Sequence, residues 1–225
     1  MPADQAAPTN RMDALRDRLL DAALPNVLFD GWTRRSLVEG ARAEGLPAED
    51  VDIAFPLGVR DAVGHWLDRA DAQMADDMRA HGLDGLKIRE KVALGVRLRL
   101  ERAEPHKEAV RRGLSFLALP GNGGLAARSL YRTVDTIWRE CGDTSTDYNF
   151  YTKRGLLAAV YSSTLLYWLD DASDGHGDTW AFLDRRIADV MKVPKITARL
   201  KSIGGYLPGP GRFTRAWKAA RRAPA

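Results

Sequence analysis

The stretch GWTRRSLVEGARAEGLPAEDVDIAFPLGVRDAV, residues 31–63, is a compact series of helix starts and stops. Thr33 has the hydroxyl needed to cap a helix, which is expected to run to about Glu44 and stop at Gly45. Pro47 opens a short helix that ends near Phe55, because Pro56 forbids its continuation. A long helix follows over residues 59–80, with Val63, Trp66, Leu67, Ala70, Met74 and Met78 at helical spacing.

Working outward, residues 12–23 read as an amphipathic helix with Leu15, Leu19, Leu20 and Ala23 on one face. Helices are expected over 85–103 and 107–118, then a break at the Pro120-Gly121-Asn122-Gly123-Gly124 run. The next, over 125–140, carries Leu130, Val134 and Trp138, and a polar connection follows over 142–149. Residues 155–169 are apolar almost all round, which predicts a buried central helix. A loop over 171–177 leads to a last helix over 179–191. No alternating strand pattern and no internal repeat interrupts this, so the expected class is all-α.

Residues 31–63 resemble the three-helix N-terminal module of TetR-type regulators, on Gly31, Thr33, Leu37, Ala41, Gly45, Leu46, Val51 and Phe55. The resemblance implies a regulator-like helical bundle with a helix-turn-helix-like module. DNA recognition needs donors on the reading helix, yet that helix carries Glu49, Asp50 and Asp52, with no Lys or Arg between Arg42 and Arg60. Carboxylates there repel the phosphate backbone. The module is therefore read as one that packs helices without binding nucleic acid. A ligand-responsive transcriptional regulator is the alternative from a different functional class.

Charge is distributed unevenly. The chain is +4 overall, but no acidic residue follows Asp189 and nine basic ones do, so the preceding body is −5. A basic tail on an acidic body suits an anionic partner, nucleic acid or lipid, or serves as a solubilising extension. Val193, Ile196, Leu200 and Ile203 form one apolar face; after a Gly/Pro linker, Phe213, Ala216, Trp217 and Ala220 form another among Arg212, Arg215 and Lys218. Phe213 and Trp217 favour lipid, so this tail is expected to fold as an amphipathic helix on an anionic membrane. No run reaches the roughly 18–20 apolar residues of a membrane span. The polar start and the lone Cys141 suggest a reducing, cytoplasmic setting, with peripheral attachment to a bacterial inner membrane.

Catalytic signatures are sparse. The four histidines are scattered, and no nucleotide fingerprint, phosphate loop or nucleophile elbow is present. Asp170, Asp171, Asp174 and Asp178 gather near His176, where they could hold a cation or cap the helix beginning near Thr179. Cys141 could act as a nucleophile or be an inert thiol. The expectation is no enzyme, no metal and no cofactor.

Residues 138–154, WRECGDTSTDYNFYTKR, closely resemble the signature of the COQ9 family of ubiquinone-biosynthesis proteins. Supporting matches are KIREKVALGVRLRL at 87–100, Asp135 with Trp138, and TWAFL at 179–183 with Arg186. The resemblance spans about 12–191. It implies a non-catalytic homodimer that binds an isoprenoid quinone or a phospholipid and helps a COQ7-type hydroxylase reach its membrane-embedded substrate. Trp66, Met74, Met78, Leu156, Val160, Tyr161, Leu165 and Trp168 are the expected lipid-lining residues, and they would serve equally as bundle core or dimer seam. Asp135, Ile137, Asp147, Phe150 and Tyr151 match positions of the family's hydroxylase-docking surface, with Phe150 where Trp is typical and Ile137 where Met is common. The expected organisation is a disordered start over 1–11, the helix-turn-helix-like module over 12–83, a lipid-binding and dimerisation region over 84–191, and the membrane tail over 192–225.

Overall fold

The computed structural model describes residues 8–143 and 148–191, all helix, turn or loop among those residues. The expectations for Asp147 and for Arg212, Phe213, Arg215, Trp217 and Lys218 lie outside them. Nine α-helices follow in the described residues: α1 Pro8–Asp30, α2 Arg34–Ala43, α3 Ala48–Ala54, α4 Val59–His81, α5 Ile88–Ala103, α6 Lys107–Leu117, α7 Gly123–Glu140, α8 Tyr148–Asp170 and α9 Gly177–Val190. The chain divides into one unit through Leu183 and a second from Asp184, and α9 supplies the described start of the second.

Each residue singled out in 31–63 has a physical task. Thr33 Oγ1 accepts from the Ser36 amide at 3.1 Å, satisfying one of the orphan donors at the start of α2. Leu37, Ala41, Val51 and Phe55 are buried. Gly45 adopts φ +68°, and the following Leu46 amide returns to the Ala41 carbonyl at 2.8 Å, which closes α2. Gly40 allows α2 to touch α1: a Cβ there would stand 2.6 Å from the Ala23 nitrogen. Leu19, Leu20, Ala23, Leu24 and Val27 of α1 join Val63 and Trp66 of α4 in the same core.

The first helix is longer than expected. It was expected over residues 12–23, but α1 runs from Pro8 to Asp30 with Pro25 inside it. Proline removes one helical donor, and burial of Leu24 and Val27 beyond it offsets the loss. The helix α8 also departs from expectation, starting at Tyr148 and exposing one face. Tyr151, Gly155, Ala159 and Leu166 share that exposed side, with Leu166 60% exposed. The residues expected to make a buried central helix thus bury only part of its circumference.

Trp32 joins the first three helices to the next layer. Its indole nitrogen donates to the Ala109 carbonyl on α6 at 3.1 Å. Its ring sits 5.0 Å from that of Trp66, tilted 46°. The α4 helix packs on α5 and α7, and α7 packs on α8, which places the functional region among these helices and α6.

Candidate functional site

Four of these helices turn an apolar face toward one space, and helical periodicity selects the faces. Leu67 comes from α4, Leu114 and Leu117 from α6, Ala126 and Leu130 from α7, and Leu165 from α8. They enclose a cavity of about 300 Å³, at the lower end of small-molecule sites. A smaller lobe of about 40 Å³ shares Leu67, Arg99, Leu114, Leu117, Tyr161 and Leu165 with it and adds Val63, Trp66 and Gly113. Gly113 of α6 faces both indoles: a Cβ there would stand in ordinary van der Waals contact with Trp32 and Trp66, at 3.5 Å from each.

Beside the cavity lies a buried ionic group. Asp71, 2% exposed, accepts from Arg99 Nε at 3.1 Å, Arg132 Nε at 3.0 Å and Thr133 Oγ1 at 2.9 Å. Burial pushes the Asp71 carboxyl above the ordinary carboxylate range, against the opposing pull of Arg99 and Thr133. Arg132 also pairs with Asp68. Burying charges this deeply is costly unless partners meet them, and the three donors on Asp71 supply that.

Three of the expected lining residues, Trp66, Tyr161 and Leu165, line these spaces. The other five, Met74, Met78, Leu156, Val160 and Trp168, line neither of these two spaces. Met78 packs near Gly95 together with Ile137. Trp168 is wholly buried, edge-on to His176 with the Lys107 ammonium 4.9 Å above its ring. On α8, Leu157, Val160, Thr164 and Trp168 are buried, whereas Tyr161, Ser162 and Leu165 reach the cavity. An apolar-all-round pattern gives no means of dividing them. The lining of α6 and α7 was missed, although Val110, Leu114 and Leu117, and Ala126, Leu130 and Thr133, recur at helical spacing.

The expected docking residues divide more sharply. Ile137 is 0% exposed and Asp135 7% exposed. Asp135 instead binds Arg154 Nε at 2.6 Å and Arg139 Nε at 2.8 Å. The Arg154 guanidinium lies 3.4 Å from the centre of the half-buried Phe150 ring. Tyr151 is edge-on to Phe150 and 71% exposed.

The chemistry-bearing candidates have structural tasks. Asp171 accepts from the Ser173 amide at 2.8 Å and the Thr179 amide at 3.0 Å, so it caps the last helix. These hydrogen bonds overcome desolvation and hold its carboxyl well below the usual range. Cys141 is 4% exposed, and burial pushes its thiol up to about 12, leaving almost no thiolate at neutral pH. No group of three or more potential metal ligands is found among the described residues. Nor is any described helix long and apolar enough to cross a membrane. The α3 surface carries exposed Glu49 and Asp52, and Asp52 takes up Arg34 at 2.6 Å.

A TetR transcriptional regulator from Nitrosomonas europaea shares the fold, with a TM-score of 0.65 at 18% identity, covering 79% of this chain and 98% of its own. The family model COQ9 matches residues 124–194. Mitochondrial COQ9 ubiquinone biosynthesis proteins of Drosophila melanogaster and Homo sapiens are 33% and 32% identical over 90% and 87% of this chain. The chain spans 63% of the length of each. The COQ9-B protein of Xenopus laevis is 32% identical over 85% of this chain and 68% of its own length. Identity of this extent, across both the regulator-like module and the cavity, shows that the chain belongs to the COQ9 family.

Proposed function

We propose that this protein is a non-catalytic lipid-binding accessory factor of ubiquinone biosynthesis, working at a membrane surface. The apolar cavity among α4, α6, α7 and α8 carries this reading. Relatives named for ubiquinone biosynthesis supply the pathway. The ligand is an isoprenoid quinone intermediate or a phospholipid, held against Trp66, Tyr161 and Leu165. The cavity is small, so a long tail extends beyond it. Exposed Tyr151 with Phe150 forms the remaining described part of the surface that meets a COQ7-type hydroxylase. Beyond Tyr151, the small and apolar part of the exposed side of α8, at Gly155, Ala159 and Leu166, is the seam of a homodimer. The nine basic charges after Asp189, with Phe213 and Trp217, bind an anionic bilayer.

The test is mass spectrometry of lipids extracted from gently purified protein, beside a Leu114→Trp variant that fills the cavity. Polyprenyl quinones or their precursors, retained by the parent and lost from the variant, are the expected result. Equal lipid in both removes the cavity from the account. Truncation after Ile203 is expected to abolish binding to anionic vesicles while leaving the extracted lipid unchanged.

A regulator reading predicts DNA binding. The acidic surface of α3 and the capture of Arg34 by Asp52 oppose it. A band shift on DNA at low salt would restore it.

A further inference from the structure

The body before Lys192 carries a net charge of −5, yet one stretch of it runs the other way. No acidic residue stands between Glu108 and Asp135, and that interval holds Arg111, Arg112, Arg128 and Arg132. Between Arg112 and Arg128 there is no charged side chain at all. The fold bends this uncharged interval into a helical hairpin: α6 ends at Leu117, α7 begins at Gly123, and the turn between them is its tip.

The tip is exposed and apolar. Leu119 is 53% exposed, and Ala118, Pro120, Gly121, Gly123 and Gly124 are exposed around it. It is also tied down. The Leu119 amide donates to the Phe116 carbonyl at 3.2 Å, and the Asn122 amide to the Leu119 carbonyl at 3.1 Å. The Asn122 side-chain nitrogen donates to the Phe116 carbonyl at 2.8 Å. Internal partners of this kind lower the cost of taking backbone groups out of water. The carboxylates that reach the hairpin are taken up by its arginines: Glu108 by Arg111 and Arg112, Asp170 by Arg111, and Asp68 and Asp71 by Arg132. Arg128 is exposed and has no ion pair among the described residues.

This surface fits a bilayer better than a protein. The tip presents one large apolar side chain, far short of the roughly 800 Å² per side of a stable protein contact. An apolar point with an unpaired arginine behind it suits shallow membrane entry: the apolar groups pass the head groups, and the cation rests among anionic ones. Leu117, Ala118 and Ala126, on either side of the turn, also line the cavity.

We infer that the turn over residues 118–122 is a membrane-inserting tip. Leu119 and Pro120 enter an anionic bilayer, Arg128 meets its head groups, and the edge of the cavity at Leu117, Ala118 and Ala126 is brought against lipid. This rests on the membrane-surface reading above and adds to it a contact that the tail does not supply.

The experiment places an environment-sensitive fluorophore on the full chain through Leu119→Cys, with Glu49→Cys on the exposed face of α3 as the control site. The natural Cys141 is buried, so the introduced thiol takes the label. Thermal unfolding checks that each variant is folded. The vesicles are equimolar phosphatidylcholine and phosphatidylglycerol with a nitroxide on the acyl chain, and cosedimentation reads binding separately. The label at 119 is expected to shift to the blue and be quenched by the nitroxide, and the label at 49 to do neither. Arg128→Gln is expected to weaken vesicle affinity roughly fivefold. Cosedimentation with the 119 label still in water, or equal quenching at 119 and 49, overturns the tip and leaves the membrane-surface reading standing. Unchanged affinity in Arg128→Gln overturns the head-group contact. Absence of cosedimentation overturns the membrane-surface reading and the tip together.

Discussion

The core under α1, α2 and α3 and the region among α4 to α8 are both built from helices of similar composition, yet they fill space differently. In the first, small residues bring backbones into contact, as at Gly40 against Ala22 and Ala23, and large apolar side chains close the remaining gaps. In the second, the helices stand around a void, and a buried ionic group takes part of the place that apolar side chains hold elsewhere. A fold that hosts ligands need not loosen everywhere. It can keep one module dry and tight while another gives up packing to a cavity.

Substitutions that act oppositely on the two regions test this contrast. The largest effect is expected for Asp71→Ala, which leaves Arg99 and Arg132 facing each other in the interior: a loss of about 4 kcal/mol in chemical unfolding. A loss under about 1 kcal/mol would mean that water reaches these guanidiniums. Gly40→Ala follows, because its methyl would meet backbone atoms 2.6–2.7 Å away and force α1 from α2; a loss of about 3 kcal/mol is expected. The sharpest comparison uses one change in both places. Ala41→Leu overpacks the dry core and should cost about 2 kcal/mol. Ala126→Leu grows into the cavity and should stabilise by about 1 kcal/mol while weakening ligand binding. Thermal melts showing the same sign for both leucines would erase the distinction.

The smallest effect concerns pH. The depressed folded pKa of Asp171 contributes stability above the ordinary aspartate value near about pH 4, and this is lost as pH falls toward the folded value. Asp71 has the opposite sign: its raised folded value favours the protonated fold, and its contribution declines as pH rises through that value. Asp171→Asn should therefore flatten the acid limb of a stability profile measured by urea unfolding below about pH 5. A parallel profile in the variant would remove the cap from the acid response.

What was legible in the sequence follows the same division. The helix-turn-helix-like module was readable because its signals are local: Thr33 caps within three residues, Gly45 turns at its own position, and Pro47 precedes a short helix. The end of α1 was not readable, because burial of Leu24 and Val27 outweighs Pro25 only once α2 is in place. The cavity was half legible. Trp66, Tyr161 and Leu165 were named, but α8 is apolar on several faces and the choice among Leu157, Val160 and Tyr161 depends on where its neighbours stand. Arg99 lay within the matched stretch at 87–100 and carried no sign of burial, since its partner Asp71 is distant in sequence. The burial of Ile137 was not legible for a related reason: an apolar residue in a matched motif suits a core as well as a surface.

The contact between Trp32 and Trp66 gives the two regions a shared optical element. Two indoles at 5.0 Å and 46° are close enough and skewed enough for their excited states to mix, and a paired band in the circular dichroism spectrum is the expected result. One ring is fastened to the Ala109 carbonyl and belongs to the dry core; the other belongs to that core and also borders the smaller lobe of the cavity. A ligand that turns the second indole by a few degrees would alter the handed signal of both. The joint between the modules is thus a built-in spectroscopic ruler, readable without a label.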